Sequence, residues 1–534
     1  MHTIFRVTIG TAALAAGLSG CSTNSSMVNA DDGLKQIDTV VVIYAENRGF
    51  DTLYGLYPGA DGVPGVNPSS KTAYIAQKDF DGATLPVLPP TWGGVTLPGQ
   101  TRVMTQAQSA NMPNRPFRID DASGMNLEET VITRDLVHRF YNNQMQINGG
   151  KNDLFATYSD AGGLSMGYYD GSKMAMWKVA HDYTLADNFY MGAFGGSFLN
   201  HQFLICACAP QYPNAEKSVA AGSISKIDVD ANGKFIRLTP AAGAPASALS
   251  GPAKYLNDST LTPKDTQGRF FAVNTMQPAY QPSNVAPAAS DATHLYADVS
   301  SPSTLPPQTQ TNIGDLLSAK GVDWAWYAGA WNSTLGTATG ARKFTSPTPN
   351  FQFHHQPFNY FANMDPVTHA DNRARHLLDF DQRFLQDAAA GKLPAVAFYK
   401  PQGNLNQHAG YADVASGDAH IAEVIAKLKQ SPQWAHMLIV VTYDENGGFW
   451  DHAAPPKADI WGPGSRVPAI IVSPFAKHGY VDSTPYDTTS VLRFITRRWS
   501  LPVLDGIAER DRALIANGQK PIGDLTGALQ IKTN

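Results

Sequence analysis

A chain of 534 residues, 43% hydrophobic and 16% charged, has material for a large core and is neither disordered nor fibrous in composition. Its length suits two domains or one α/β sheet wrapped in long insertions. With a net charge of -5 and no basic run, nothing in the sequence points to nucleic acid as a partner.

Residues 1–20 form a targeting segment: Arg6 is the positive flank, and Val7 to Leu18 is apolar but too short to span as a mature helix. The segment ends in Leu18-Ser19-Gly20-Cys21, which resembles the bacterial lipobox, where the cysteine is lipidated and becomes the mature N-terminus. An ordinary cleaved signal followed by a chance cysteine is the alternative, and both imply export. Residues 21–36 are a polar tether without periodicity. Cys206 and Cys208 are one residue apart in an apolar run, a spacing that argues against an unstrained mutual disulfide and for buried thiols.

The continuous β-branched run from Ile37 to Tyr44 predicts a buried strand. It empties into Glu46-Asn47-Arg48-Gly49-Phe50-Asp51, where α/β sheets place their ligands. Residues 57–126 are rich in Pro, Gly and Thr and suggest a cover. His138 follows, as a core histidine or a site residue, then Asn148-Gly149-Gly150-Lys151. A helix is expected over 174–181. Gly195-Gly196-Ser197 then precedes an apolar run, so Ser197 is either a helix cap or a nucleophile above a helix N-terminus. Residues 211–307 loosen into Ala, Pro, Ser and Asn and predict an insertion. A helix over 312–320 and a strand over 324–327 precede the loop bearing His354 and His355.

The C-terminal half alternates strands with helices. Strands are expected over 395–399, 438–443 and 467–473, and helices over 418–429 and 489–498. The first strand leads to His408, and the second empties into Asp444-Glu445-Asn446-Gly447-Gly448-Phe449-Trp450-Asp451-His452. This rhythm predicts an α/β sandwich around a mainly parallel sheet, with a catalytic domain over 37–505 and a tail over 506–534.

Two buried strands thus end in Glu46-Asn47 and Asp444-Glu445, with Gly49, Gly447 and Gly448 as turning points. Each pair alone is equally a loop cap or a salt bridge. Together they form an oxygen-only donor set that suits one hard divalent cation, such as Mg, Ca or Mn, and Ser197 could join it. His138, His354, His355 and His408 are candidates for holding phosphate or protonating a leaving group. Lys151 and Arg48 offer further positive charge, or are solvated surface residues.

Glu46-Asn47-Arg48-x-Phe50-Asp51, Gly196-Ser197-Phe198-Leu199-Asn200-His201-Gln202, the His408 loop and Asp444-Glu445-x-Gly447-Gly448-Phe449-x-Asp451-His452 resemble the bacterial phosphoesterase family. That family holds the acid phosphatase A enzymes and the phosphatidylcholine-preferring phospholipases C, and shares the alkaline phosphatase superfamily fold. The resemblance implies an alkaline-phosphatase-like three-layer sandwich and a phosphorylated Ser197. It implies one metal held by Glu46, Asn47, Ser197, Asp444 and Glu445. His138, His408 and one of His354 and His355 would bind phosphate or protonate the leaving group. Serine in this loop looks like the acid phosphatase branch. The expectation is therefore an exported phosphomonoesterase, periplasmic, anchored in the outer membrane through lipidated Cys21, or secreted. The alternatives are a phospholipase C acting on phosphodiesters, a binding lipoprotein without activity, and, more weakly, a sulfatase or phosphonate hydrolase.

Overall fold

The computed structural model describes residues 33–335 and 350–531. The leader over 1–20, Cys21 and most of the tether lie outside them. Eight strands make the main sheet: β1 (Thr39–Ala45), β2 (Thr184–Ala186), β3 (Trp324–Ala328), β4 (Leu377–Asp379), β5 (Val396–Lys400), β6 (Met437–Tyr443), β7 (Ala469–Val472) and β8 (Tyr480–Asp482). Their spatial order is β8-β2-β7-β6-β1-β5-β3-β4. Only β7 runs against its neighbours, so the sheet is mainly parallel, as the alternating pattern predicts.

β1 is central because its sequence permits nothing else. All seven of its residues are buried, so both faces are covered, and Val, Ile and Tyr fit a pleated surface packed on two sides. β6 repeats the pattern beside it, pairing Ala45 with Tyr443 at the carboxyl end. The two acid-bearing segments therefore leave the sheet side by side.

The flanking helices are α1 (Ala175–Asp182), α2 (Ser197–Cys206), α3 (Ile313–Ala319), α4 (Val414–Leu428), α5 (Thr489–Arg498) and α6 (Asp505–Ala516). α4 packs on α1, and α5 packs on α2. α3 carries a full capping box from Asn312 and Asp315. α4 begins a turn earlier than its apolar pattern suggests, because Asp413 caps it by accepting from Ser416 N. Among the described residues, no helix is long and apolar enough to cross a membrane.

Several expectations need correction. Cys206 and Cys208 form a disulfide. α2 ends at Cys206, and Ala207 takes a left-handed conformation (φ 50°), which folds the chain back and sets the two Cα atoms 5.1 Å apart. The stretch expected as a tail over 506–534 packs on the catalytic domain through its described part, 506–531: Arg510 of α6 is 1% exposed and pairs with Asp459 and Asp487. The stretch over 211–307, expected as an insertion or surface subdomain, carries a small antiparallel hairpin (Ile227–Val229 with Phe235–Leu238) and also sends Leu261, Phe270, Val273 and Met276 into the core.

Candidate active site

The site is built where β1 and β6 end. Asn47 takes φ 58°, and this residue, not Gly49, makes the turn after β1. Asn47 N donates to Asp444 Oδ1 (3.1 Å), which fastens the first loop to the second. Gly447 (φ 64°) is needed for the same closeness, since a Cβ there would lie 2.4 Å from the Asn47 carbonyl oxygen.

Ser197 is the first residue of α2, and Gly196 caps that helix with no side-chain bond. The serine hydroxyl is therefore free of capping. It lies 3.2 Å from Asn47 Oδ1 and 3.1 Å from Glu445 Oε1, with its one proton available to either. Glu445 Oε2 accepts from Gly447 N. Asp444 Oδ2 is fully buried and has no hydrogen-bond partner. Burial pushes the carboxyls of Asp444 and Glu445 above the usual range, helped by the charge of Glu46 beside Asp444 and of Asp444 beside Glu445. Two crowded acids, an amide oxygen and a hydroxyl, with one carboxylate oxygen left unpaired, fit a bound divalent cation.

Glu46 is set differently. Its Oε1 meets His355 Nε2 at 2.5 Å and Lys400 Nζ at 3.1 Å, while Oε2 accepts from Asn406 Nδ2 (2.7 Å) and the Tyr411 hydroxyl (2.9 Å). Burial alone would raise its carboxyl, but His355 and Lys400 hold it well below the usual range. It still approaches the metal candidates: ligand atoms of Glu46, His201 and Asp444 lie within 4.8 Å of one another.

The four expected histidines converge but differ in state. Burial pushes down His354, His355 and His408, with His355 falling to about 3. His138 goes the other way: against burial, the carboxylates of Glu445 and Asp135 hold it up at about 9. Its Nε2 is 3.6 Å from Glu445 Oε1. His408 Nε2 lies 2.9 Å from Asn47 Nδ2, and its Nδ1 is turned to the Ala409 carbonyl. As assigned, it holds no proton toward the cavity. His354 lines the cavity with Ser197, whereas His355 is 1% exposed beneath it.

Lys151 is exposed and lines neither cavity described below. Arg48 is no surface residue, being 1% exposed. Residues that the sequence reading passed over include Lys400, a fully buried cation at the end of β5. His201, one helical turn after Ser197, donates from Nδ1 to the Ser197 carbonyl (2.8 Å). The spacing of four residues could have revealed His201. Nothing local could have revealed Lys400.

Behind the two loops runs a buried ionic brace. Arg466 pairs with Asp51 Oδ1 and Asp451 Oδ1, each at 3.0 Å. His452 bridges Asp51 (2.7 Å) and Asp61 (3.2 Å). The Glu46 and Asp444 segments are thus tied below the site as well as across it.

Above Ser197 opens a cavity of about 470 Å³, lined among others by His138, Asp258, Asn274, His354, His408 and Tyr411. Phe198 is its one apolar lining side chain among the described residues. Asp135, His138, Arg139 and Asp258 also border an adjoining cleft of about 740 Å³. The insertion supplies Asp258 and Asn274, so it shapes access.

A buried hydroxyl among oxygen donors at the carboxyl end of a mainly parallel sheet, under polar walls, equips an enzyme of the phosphoric ester hydrolase class. The chain belongs to the phosphoesterase family, whose model matches residues 37–502. It is 23% identical over 534 residues to phospholipase C A of Mycobacterium tuberculosis, covering 94% of this chain and 78% of that protein. It is 33% identical over 156 residues to non-specific phospholipase C6 of Arabidopsis thaliana, a match spanning 24% of this chain and 30% of the plant protein. A solved structure of an alkaline phosphatase superfamily protein from Vibrio parahaemolyticus overlaps 64% of each chain at 9% identity, with a TM-score of 0.28.

Proposed function

We propose that this chain hydrolyses phosphomonoesters through Ser197. The carrying observation is the Ser197 hydroxyl itself, which turns to Asn47 and Glu445 at the floor of a polar cavity. Ser197 Oγ gives its proton to Glu445 Oε1 and attacks phosphorus, and the P–O ester bond breaks as the ester oxygen takes a proton from His138. Water then attacks the phosphoserine, returning protons to these groups as phosphate leaves and the Ser197 hydroxyl is restored. His138 suits that task because, against burial, Glu445 and Asp135 raise it to about 9, whereas burial lowers the other three histidines.

Asn47, Ser197, Asp444 and Glu445 would hold one divalent cation, with Glu46 at its edge. Bound there, such a cation supplies charge that favours the serine alkoxide and offsets the phosphoryl oxygens. Oxygen donors favour Mg, Ca or Mn.

Phosphodiester cleavage is the second reading, and the names of the mycobacterial and plant relatives favour it. The walls directly over Ser197 favour the first, because a diacylglycerol leaving group needs apolar walls. Among the described residues, those walls are polar apart from Phe198 and the Tyr411 ring, while Leu97, Leu136 and Val137 line only the adjoining cleft. The deciding experiment compares p-nitrophenyl phosphate with p-nitrophenylphosphorylcholine, with and without a chelator. Faster monoester turnover that the chelator removes supports the proposal. Preference for the choline diester transfers the same residues to phospholipase chemistry, and turnover of neither ester leaves a binding protein. Export belongs to the same reading: Cys21→Ala is expected to shift the protein from the membrane to the soluble fraction, and an unchanged membrane fraction would remove the lipid anchor.

A further inference from the structure

Arg48 follows Glu46 and Asn47 directly, yet its side chain points to neither. It is 1% exposed and makes one hydrogen bond, from Nε to the Gln407 carbonyl oxygen (2.9 Å). Its guanidinium carbon lies 5.2 Å from the centre of the Phe449 ring. Among the described residues, no carboxylate comes within ion-pair distance of it, unlike the other fully buried arginines, Arg466 and Arg510. Nη1 is enclosed and has no acceptor.

Two more enclosed donors share this condition, the hydroxyls of Tyr169 and Thr133. They belong to one neighbourhood. Tyr169 is the ionisable group that acts most strongly on the Arg48 guanidinium, and the Thr133 hydroxyl stands beside the Tyr169 phenol without the geometry of a hydrogen bond between them. Tyr443, the next neighbour, gives its hydroxyl to Gln407 Oε1. The nearest acids are engaged elsewhere, Asp413 capping α4 and Asp135 accepting from Leu136 N. Asp135 and Asp413 act on the guanidinium only from beyond ion-pair distance, and a buried cation with no counter-charge in contact is strongly disfavoured; water supplies hydrogen bonds but no charge.

We propose that Arg48, Tyr169 and Thr133 hold a small monovalent inorganic anion of the chloride type. Such an anion accepts from all three donors at once and neutralises the guanidinium. The site stands behind the catalytic loops rather than in the cavity: Arg48 follows the Glu46-Asn47 pair, and the Gln407 carbonyl it binds precedes His408. The anion therefore acts by tying these two loops together, and its binding is independent of which ester is cleaved.

The test uses the full chain crystallised in sodium bromide, with anomalous data collected at the bromine edge. A bromide peak within hydrogen-bond range of Arg48 Nη1 and the Tyr169 hydroxyl is expected; water alone at that position overturns the proposal. Melting curves at fixed ionic strength give a second reading, with chloride replaced by gluconate. Wild type should melt about 2 °C higher in chloride, because a ligand of the folded state alone stabilises by mass action. Tyr169→Phe and Thr133→Val should each lose half or more of that increment. A wild type indifferent to chloride, or variants that keep the whole increment, would also sink the idea.

Discussion

Gly196 holds the N-cap position of α2, so Ser197, the next residue, is free to turn its hydroxyl away from the helix to Asn47 and Glu445. Removing that hydroxyl deletes two buried contacts, a loss of about 1–3 kcal/mol, which a core of this size tolerates. Ser197→Ala is therefore expected to melt within a few degrees of wild type and to show no ester turnover. Retained turnover in the folded variant would end the covalent mechanism. Lys400 makes the opposite case, a residue whose removal shows first in stability. Lys400→Met leaves the fully buried Glu46 carboxylate without its cation, with His355, which burial pushes down to about 3, as its close hydrogen-bond partner, and should destabilise by about 3–5 kcal/mol. Adding Glu46→Gln should recover part of this loss in denaturant titrations; an additive double variant would mean that the two charges do not support each other.

The strands explain why the acidic pairs meet. β1 and β6 pair in parallel from Thr39–Met437 to Ala45–Tyr443, so whatever follows one strand stands beside whatever follows the other. Their β-branched runs made both strands legible in the sequence, and the register does the rest. Less visible was how the segments beyond them turn. Gly49 looked like the first hinge, yet Asn47 carries the positive φ, because its backbone N–H must reach Asp444. Tertiary context also decided the cases that the sequence misled: Arg48 and Lys400 are charged side chains taken into the interior, and the Cys206–Cys208 bond depends on a helix stopping one residue before Ala207. Gly447, by contrast, was legible and is testable. Gly447→Ala places a methyl group 2.4 Å from the Asn47 carbonyl at a left-handed φ, so the two loops must part. Activity should fall by about 100-fold or more, as expected when reacting groups shift by about 1 Å, while far-ultraviolet dichroism is unchanged. Wild-type activity in this variant would show that the loops need not touch.

Taken as a whole, the molecule commits its most expensive electrostatics to holding distant segments together below the site. Arg466 and Asp51 are 415 positions apart and meet with Asp451, Asp61 and His452 in one buried network. The protonation of His452 reports on it. Against burial, Asp51 and then Asp61 raise this imidazole from 6.5 to about 10, so the folded chain keeps a proton that the unfolded chain releases above pH 6.5. Stability from this source is complete below 6.5 and is lost as pH rises through about 10, at up to about 1.4 kcal/mol per pH unit. Asp61 has the reverse sign: His452 and the Lys71 backbone N–H overcome burial and lower it to about 2, so its contribution holds above 3.8 and fades on acidification. Asp451, raised to about 6 mainly by burial, is protonated more easily in the folded chain and offsets part of that acid loss. The clean readout is therefore alkaline. Denaturant midpoints measured at pH 6 and pH 9 should fall further in wild type than in His452→Gln, since the variant has no proton to retain. Equal falls in the two proteins would show that His452 is not held charged and that Arg466 alone balances the acids around it.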